Sequence, residues 1–176
     1  MHAPSTHPIL VPGVDSLNHA RAHPVSWLVA NGVEANNGAE KLQVTLVHHP
    51  AVAQGQELFN NYGPKPNAEL ILGYGFSLPN NPDDSIVLKL GGINGQKWEI
   101  GRGARNADGL WKEILSIFVA SQNGAPTYED LLDAAGSLQE MTEKLLDRLP
   151  GHDTPKSADI RPEVVQMFNH YVDGTL

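Results

Sequence analysis

Apolar positions change their period partway along the chain. In Leu42-Gln43-Val44-Thr45-Leu46-Val47 apolar and polar residues alternate, which predicts a strand with one buried face. Shorter runs predict strands at Val25 to Ala30, Ile86 to Leu90 and Trp98 to Ile100, with a short buried strand at Ile9 to Val11. Glu57 to Asn61 is expected to form a strand leading into Tyr62. Asn94-Gly95 is a favoured type I′ pair and predicts a hairpin between the strands on either side of it. Residues 1 to 8 read as a flexible arm, and Asn31 to Glu40 and Leu78 to Asp84 read as loops.

Beyond Arg105 the spacing becomes helical. Leu110, Trp111, Ile114, Leu115, Ile117 and Phe118 mark one helix, with Asp108 as its candidate cap. Thr127 and Asp130 have capping-box spacing and open a second helix through Leu131, Leu132, Ala135, Leu138, Met141 and Leu145, ended by Pro150-Gly151. After a polar linker over 152–160, Pro162 opens a third helix carrying Val164, Val165, Phe168, Tyr171 and Val172 on its apolar side. A brief helix is also expected after Pro64 and Pro66. It should stop at Tyr74-Gly75, where the glycine can take the left-handed cap. The expected class is α+β: a β-rich portion of short strands over 1–105, then an incomplete α-helical domain over 106–176.

Composition narrows the class only a little. With 40% hydrophobic and 18% charged residues in 176, the chain should fold around a core. It has no apolar run near eighteen residues and no signal-peptide pattern at its start, so no membrane partner is expected. The absence of cysteine excludes disulfides and thiolate zinc sites and fits an intracellular protein, cytoplasmic or nuclear. A net charge of -8 argues against direct nucleic-acid binding. There are eight histidines, but the neighbours His48 and His49 would point to opposite faces of a strand, so no metal site is expected. Gly73-Tyr74-Gly75 and Gly101-Arg102-Gly103 lack the strand–loop–helix context of a phosphate site.

Three stretches carry more specific information. They are Asp15-Ser16-Leu17-Asn18-His19, Glu57-Leu58-Phe59-Asn60-Asn61-Tyr62-Gly63, and Asn67-Ala68-Glu69-Leu70 running into Tyr74-Gly75-Phe76. In this order, with 44 positions from Asn18 to Tyr62, the chain resembles the C-terminal half of a SET-domain protein lysine methyltransferase. The branch is the Rubisco large-subunit methyltransferase-like one. The match is good over about residues 9 to 90, and family members carry a helical substrate-binding domain after the SET domain.

The resemblance implies transfer of a methyl group from S-adenosylmethionine to a lysine side chain of a protein substrate. It makes Tyr62 the catalytic tyrosine, facing both the methyl group and the lysine amine. Asn18 and His19 would contact the cofactor, and Tyr74 would line the donor side. Asp15 matches an acidic position near the lysine channel, though its spacing equally suits an Asx-turn cap. The chemistry asks for little else. Neutralising a lysine of pKa about 10.4 at pH 7 costs about 4.6 kcal/mol. Burial beside a sulfonium charge can supply that, so no strong general base is required. The family's donor site also includes a Gly-x-Gly segment upstream of Asn-His, which residues 1–17 lack. The chain is therefore expected to be a fragment or a truncated relative, to bind the cofactor weakly by itself and to self-associate through unpaired strand edges. A noncatalytic, degenerate protein-binding module remains the alternative.

Overall fold

A computed structural model describes residues 10–33, 40–91, 95–119, 125–149 and 159–176. The expected arm, most of the 31–40 loop, the Asn94-Gly95 turn at Asn94, the Pro150-Gly151 stop and most of the linker lie outside them. The described elements are short antiparallel strands and four helices, an α+β arrangement. The chain divides into two compact units, 1–64 and 65–176.

In the first unit, β1 (Val25–Val33) pairs antiparallel with β2 (Glu40–His48), in register from Val25 opposite His48 to Val33 opposite Glu40. Both strands outrun the expected spans. Asn31 and Gly32 look like loop residues, yet they pair with Leu42 and Lys41 because a hairpin register carries any backbone past its side-chain preference. The strand expected at Glu57 to Asn61 does not form. Only Asn60 is bridged, in parallel, to His19, because the partner segment is itself a turn and offers no continuous edge. Leu10 and Val11 are likewise not in a strand; the Val11 N–H donates to the Asp15 carboxylate, closing a turn.

In the second unit α1 (Asn67–Tyr74) ends as its sequence suggests. Gly75 is left-handed (φ 74°) and its N–H returns to the Ile71 carbonyl. The hairpin of β3 (Ser85–Leu90) and β4 (Gln96–Gly101) packs with α2 (Ala107–Phe118) and α3 (Tyr128–Leu146). Leu88, Ile100, Leu110, Ile114 and Ala134 form the shared core, with Trp98, Trp111, Leu138 and Met141 packed around it. The strands on the N-terminal side of residue 105 therefore share their apolar interior with helices beyond it. Gly109 makes this close approach possible: a Cβ there would lie 2.4 Å from the Trp98 ring. α2 starts without the expected Asp108 cap. Asn106 precedes it in the left-handed region (φ 65°) with no side-chain cap, and Asp108 sits inside the first turn. There it still complements the helix dipole.

The capping box of α3 is present. Asp130 N–H donates to Thr127 Oγ1 at 3.2 Å, and the Asp130 carboxylate accepts from the Thr127 N–H at 2.8 Å. That backbone hydrogen bond holds the Asp130 carboxyl below its ordinary pKa, so its contribution to stability is present at neutral pH and lost as pH falls through the lowered value. α4 (Pro162–Thr175) opens on its proline. With α1 it lines an apolar groove of about 390 Å³ bounded by Ile71, Leu72, Val164, Met167, Phe168 and Tyr171.

A buried polar network fixes α1. The residue before α1 is Pro66, which has no side-chain oxygen to cap with, and the N–H of Asn67 is accepted instead by the Asp84 carboxylate at 2.7 Å. Asn67 Nδ2 reaches the other Asp84 oxygen at 3.1 Å and the Leu78 carbonyl at 3.0 Å, while Asn67 Oδ1 accepts from the Leu78 N–H at 2.8 Å. Asn67 and Asp84 are both buried, and Arg102 lies 3.6 Å from the carboxylate. The helix start, the 78–84 loop and the turn after β4 are thereby tied to one another.

Candidate functional site

Three of the residues singled out in the sequence meet within the first unit. Residues 18–20 run beside residues 57–62: the Asn60 N–H donates to the Asn18 carbonyl at 2.8 Å, and the Ala20 N–H donates to the Asn60 carbonyl at 2.9 Å. This short parallel bridge brings Tyr62 onto His19. The two rings stack with centroids 5.1 Å apart, and the Tyr62 N–H donates to His19 Nδ1 at 3.0 Å. An accepting Nδ1 carries no proton, so a neutral His19 ring holds its proton on Nε2.

The Tyr62 hydroxyl donates to the Leu17 carbonyl at 2.6 Å. A hydroxyl has one proton to give and two lone pairs. With its proton committed to Leu17, it presents oxygen lone pairs to any further partner, beside a backbone carbonyl that is itself electron-rich. The ends of this segment are pinned as well. Asn61 Nδ2 donates to the His23 carbonyl at 3.2 Å, and the Gly63 N–H donates to Asn61 Oδ1 at 3.0 Å. Gly63 has φ 89°, a conformation that favours glycine and turns the chain immediately after Tyr62.

Asn18 is exposed, and its amide Nδ2 donates to Glu57 Oε1 at 2.6 Å. Neither Glu57 nor the Leu17 carbonyl stands out in the sequence as a site group. Glu57 is visible only as part of a matched motif, and a backbone carbonyl leaves no trace in side-chain identity. The Asp15 carboxylate accepts from the Val11 N–H, four positions earlier in its own loop, rather than from the N–H two positions on that an Asx turn would use. Tyr74 lies in the second unit at the end of α1, 48% exposed, with its ring 6.3 Å from that of Phe76 and 5.9 Å from Lys65 Nζ. Lys65 is hydrogen-bonded to the Glu69 carboxylate, which holds its ammonium above the ordinary lysine pKa against a smaller desolvation effect.

The histidine neighbours go separate ways. His48 Nδ1 lies 3.3 Å from His23 Nε2, and His49 Nε2 lies 2.7 Å from Ser26 Oγ. Among the described residues no group of three or more His, Asp, Glu or Cys side chains could hold a metal ion. Among them, too, no helix is long and apolar enough to cross a membrane.

Comparison with known proteins adds a family to this geometry. No protein-family model matches the chain, and no solved structure gives a significant match. Curated proteins do. Ribosomal lysine N-methyltransferase set10 of Schizosaccharomyces pombe is 46% identical over 83 residues, 47% of this chain and 14% of that protein. Ribosomal lysine N-methyltransferase 1 of Saccharomyces cerevisiae is 39% identical over 89 residues, 51% of this chain and 14% of that protein. N-lysine methyltransferase setd6 of Danio rerio is 27% identical over 137 residues, 70% of this chain and 28% of that protein. These relationships bear out the resemblance to SET-domain protein lysine methyltransferases that the motifs carry. The chain spans between 14% and 28% of the length of these relatives.

Proposed function

We propose that this chain is part of an S-adenosylmethionine-dependent protein-lysine methyltransferase, with Tyr62 as its catalytic residue. The observation that carries the reading is the Tyr62 hydroxyl, which donates to Leu17 beside the Asn18-His19 segment. Relatives named as lysine N-methyltransferases support the reaction class. The donor set suits a cationic cofactor: the Leu17 carbonyl, the Tyr62 oxygen and the Glu57 carboxylate all present electron density.

When bound, S-adenosylmethionine supplies an electrophilic methyl group on a sulfonium. Against that positive charge the Tyr62 oxygen and the Leu17 carbonyl would present lone pairs from positions fixed by their mutual hydrogen bond, so little reorganisation of the protein would be needed. The same Tyr62 oxygen can accept an N–H from the attacking amine and aim its lone pair along the line of displacement. His19 holds the Tyr62 backbone and ring in place from one side. Asn18 and His19 belong to the cofactor side of this arrangement. The substrate is a lysine on a protein. Residues 1–105 correspond to the C-terminal part of a SET domain, and residues 106–176 to the start of the helical substrate-binding domain. The assignments of Tyr74 to the donor side and of Asp15 to the lysine channel rest on resemblance alone, and the Asp15 carboxylate is engaged within its own turn.

The test is transfer of isotopically labelled methyl from S-adenosylmethionine to protein, using a protein that contains this chain. Hydrolysis of the product should yield labelled N-methyllysine. Label found only on other side chains, or none above a heat-inactivated control, would count against the reading.

A further inference from the structure

We infer that Glu57 is a positioning residue that sets the polarity of the Asn18 amide, and so makes the site select for the α-ammonium of the cofactor. This rests on the cofactor role proposed above for Asn18. A side-chain amide can present either a donor or an acceptor, depending on which way it is turned. At Asn18 the choice is made by its neighbour. A carboxylate can only accept, so an amide bonded to Glu57 at 2.6 Å must offer its NH₂ there.

The opposite end of the amide, Oδ1, is then an acceptor. The backbone keeps the two residues in reach of each other. The Asn18 carbonyl takes the Asn60 N–H at 2.8 Å, and Asn60 lies three positions after Glu57 and is itself buried. The amino-acid end of S-adenosylmethionine carries one group of each kind, an ammonium that donates and a carboxylate that accepts. An Asn18 held with Oδ1 outward complements the ammonium, and the negative charge on Glu57 adds to that preference while repelling the carboxylate. Without Glu57 the amide is free to turn its NH₂ outward, and the preference is lost. Glu57 touches no reacting atom; it acts through Asn18.

The experiment compares two ligands on the wild-type chain, Glu57→Gln and Glu57→Ala. The ligands are S-adenosylhomocysteine and its analogue lacking the α-amino group, and dissociation constants are read from amide chemical shifts. Wild type should prefer S-adenosylhomocysteine by about tenfold, the scale of one hydrogen bond to a charged group. Glu57→Gln is isosteric and should leave the ligand-free spectrum almost unchanged. A glutamine can either accept from Asn18 or donate to it, so the preference should fall to about threefold or less. Glu57→Ala should abolish it. An equal loss of affinity for both ligands would show that Glu57 acts only on the local fold, and would overturn the inference. Unchanged preference in both variants would overturn it too, leaving the function reading intact. If S-adenosylhomocysteine does not bind wild type even at millimolar concentration, the cofactor reading falls and the inference falls with it.

Discussion

Replacing Tyr62 by phenylalanine is expected to lower the single-turnover rate of methyl transfer about 10²- to 10³-fold. The cofactor dissociation constant should barely move. The substitution removes one oxygen and keeps the ring, so the stacking on His19 and the bond from the Tyr62 N–H to Nδ1 survive. What disappears is the hydroxyl bonded to Leu17. In the proposed role that group would matter most while the methyl group is in transit and the amine is forming its bond, which is the condition for losing rate without losing ground-state affinity. The hydrogen bond to Leu17 also contributes to folding, so a loss of about 1 kcal/mol in stability should accompany the change. A Tyr62→Phe protein that methylates lysine at the wild-type rate would remove Tyr62 from the chemistry. A rate loss matched by an equal loss of stability-dependent soluble protein would point to folding instead.

The second large effect is expected far from that tyrosine in sequence. Asp84→Ala should destabilise the second unit by about 3 kcal/mol, the usual scale for stripping the partner from a buried polar cluster. The buried backbone N–H of Asn67 loses its acceptor, and its Nδ2 loses one partner while keeping the Leu78 carbonyl. Asn67 has no route to water, being 1% exposed. Arg102 is less affected because its side chain is 39% exposed and solvent can replace the carboxylate. Asp84→Asn keeps one acceptor and should cost roughly half as much. Urea unfolding should show the midpoint falling with an unchanged slope. A midpoint equal to wild type for Asp84→Ala would mean that the network contributes nothing net.

The contrast between these two sites shows what a sequence exposes. Local signals were legible: Thr127 and Asp130 make the capping box, Gly75 takes the left-handed cap, and the alternation of Leu42 to Val47 falls within β2. Each is decided within a few residues by backbone chemistry. Glu57 to Asn61 was misleading for the opposite reason. Its pattern suits a strand, but a strand needs an edge, and the turn at His19 supplies one bridge only. The meeting of Tyr62 with Asn18-His19 spans 44 positions, and no propensity or period reports a contact of that range. It was accessible only through the family motifs. The roles of Leu17, Glu57 and Asp84 depend on a carbonyl, an amide orientation and a burial that side-chain identity does not encode. Asp84 stands in a Pro- and Asn-rich stretch that reads only as a loop, yet it is 3% exposed and caps a helix.

The most direct check of the central claim is an amide-resolved titration of the 176-residue chain with S-adenosylhomocysteine, a method that registers even weak binding. The expected result is a saturable set of shifts centred on Asn18, His19 and Tyr62. The contradicting result is that these three stay fixed at millimolar ligand, whether nothing moves or only the amides around Leu72 and Phe168 in the α1–α4 groove respond.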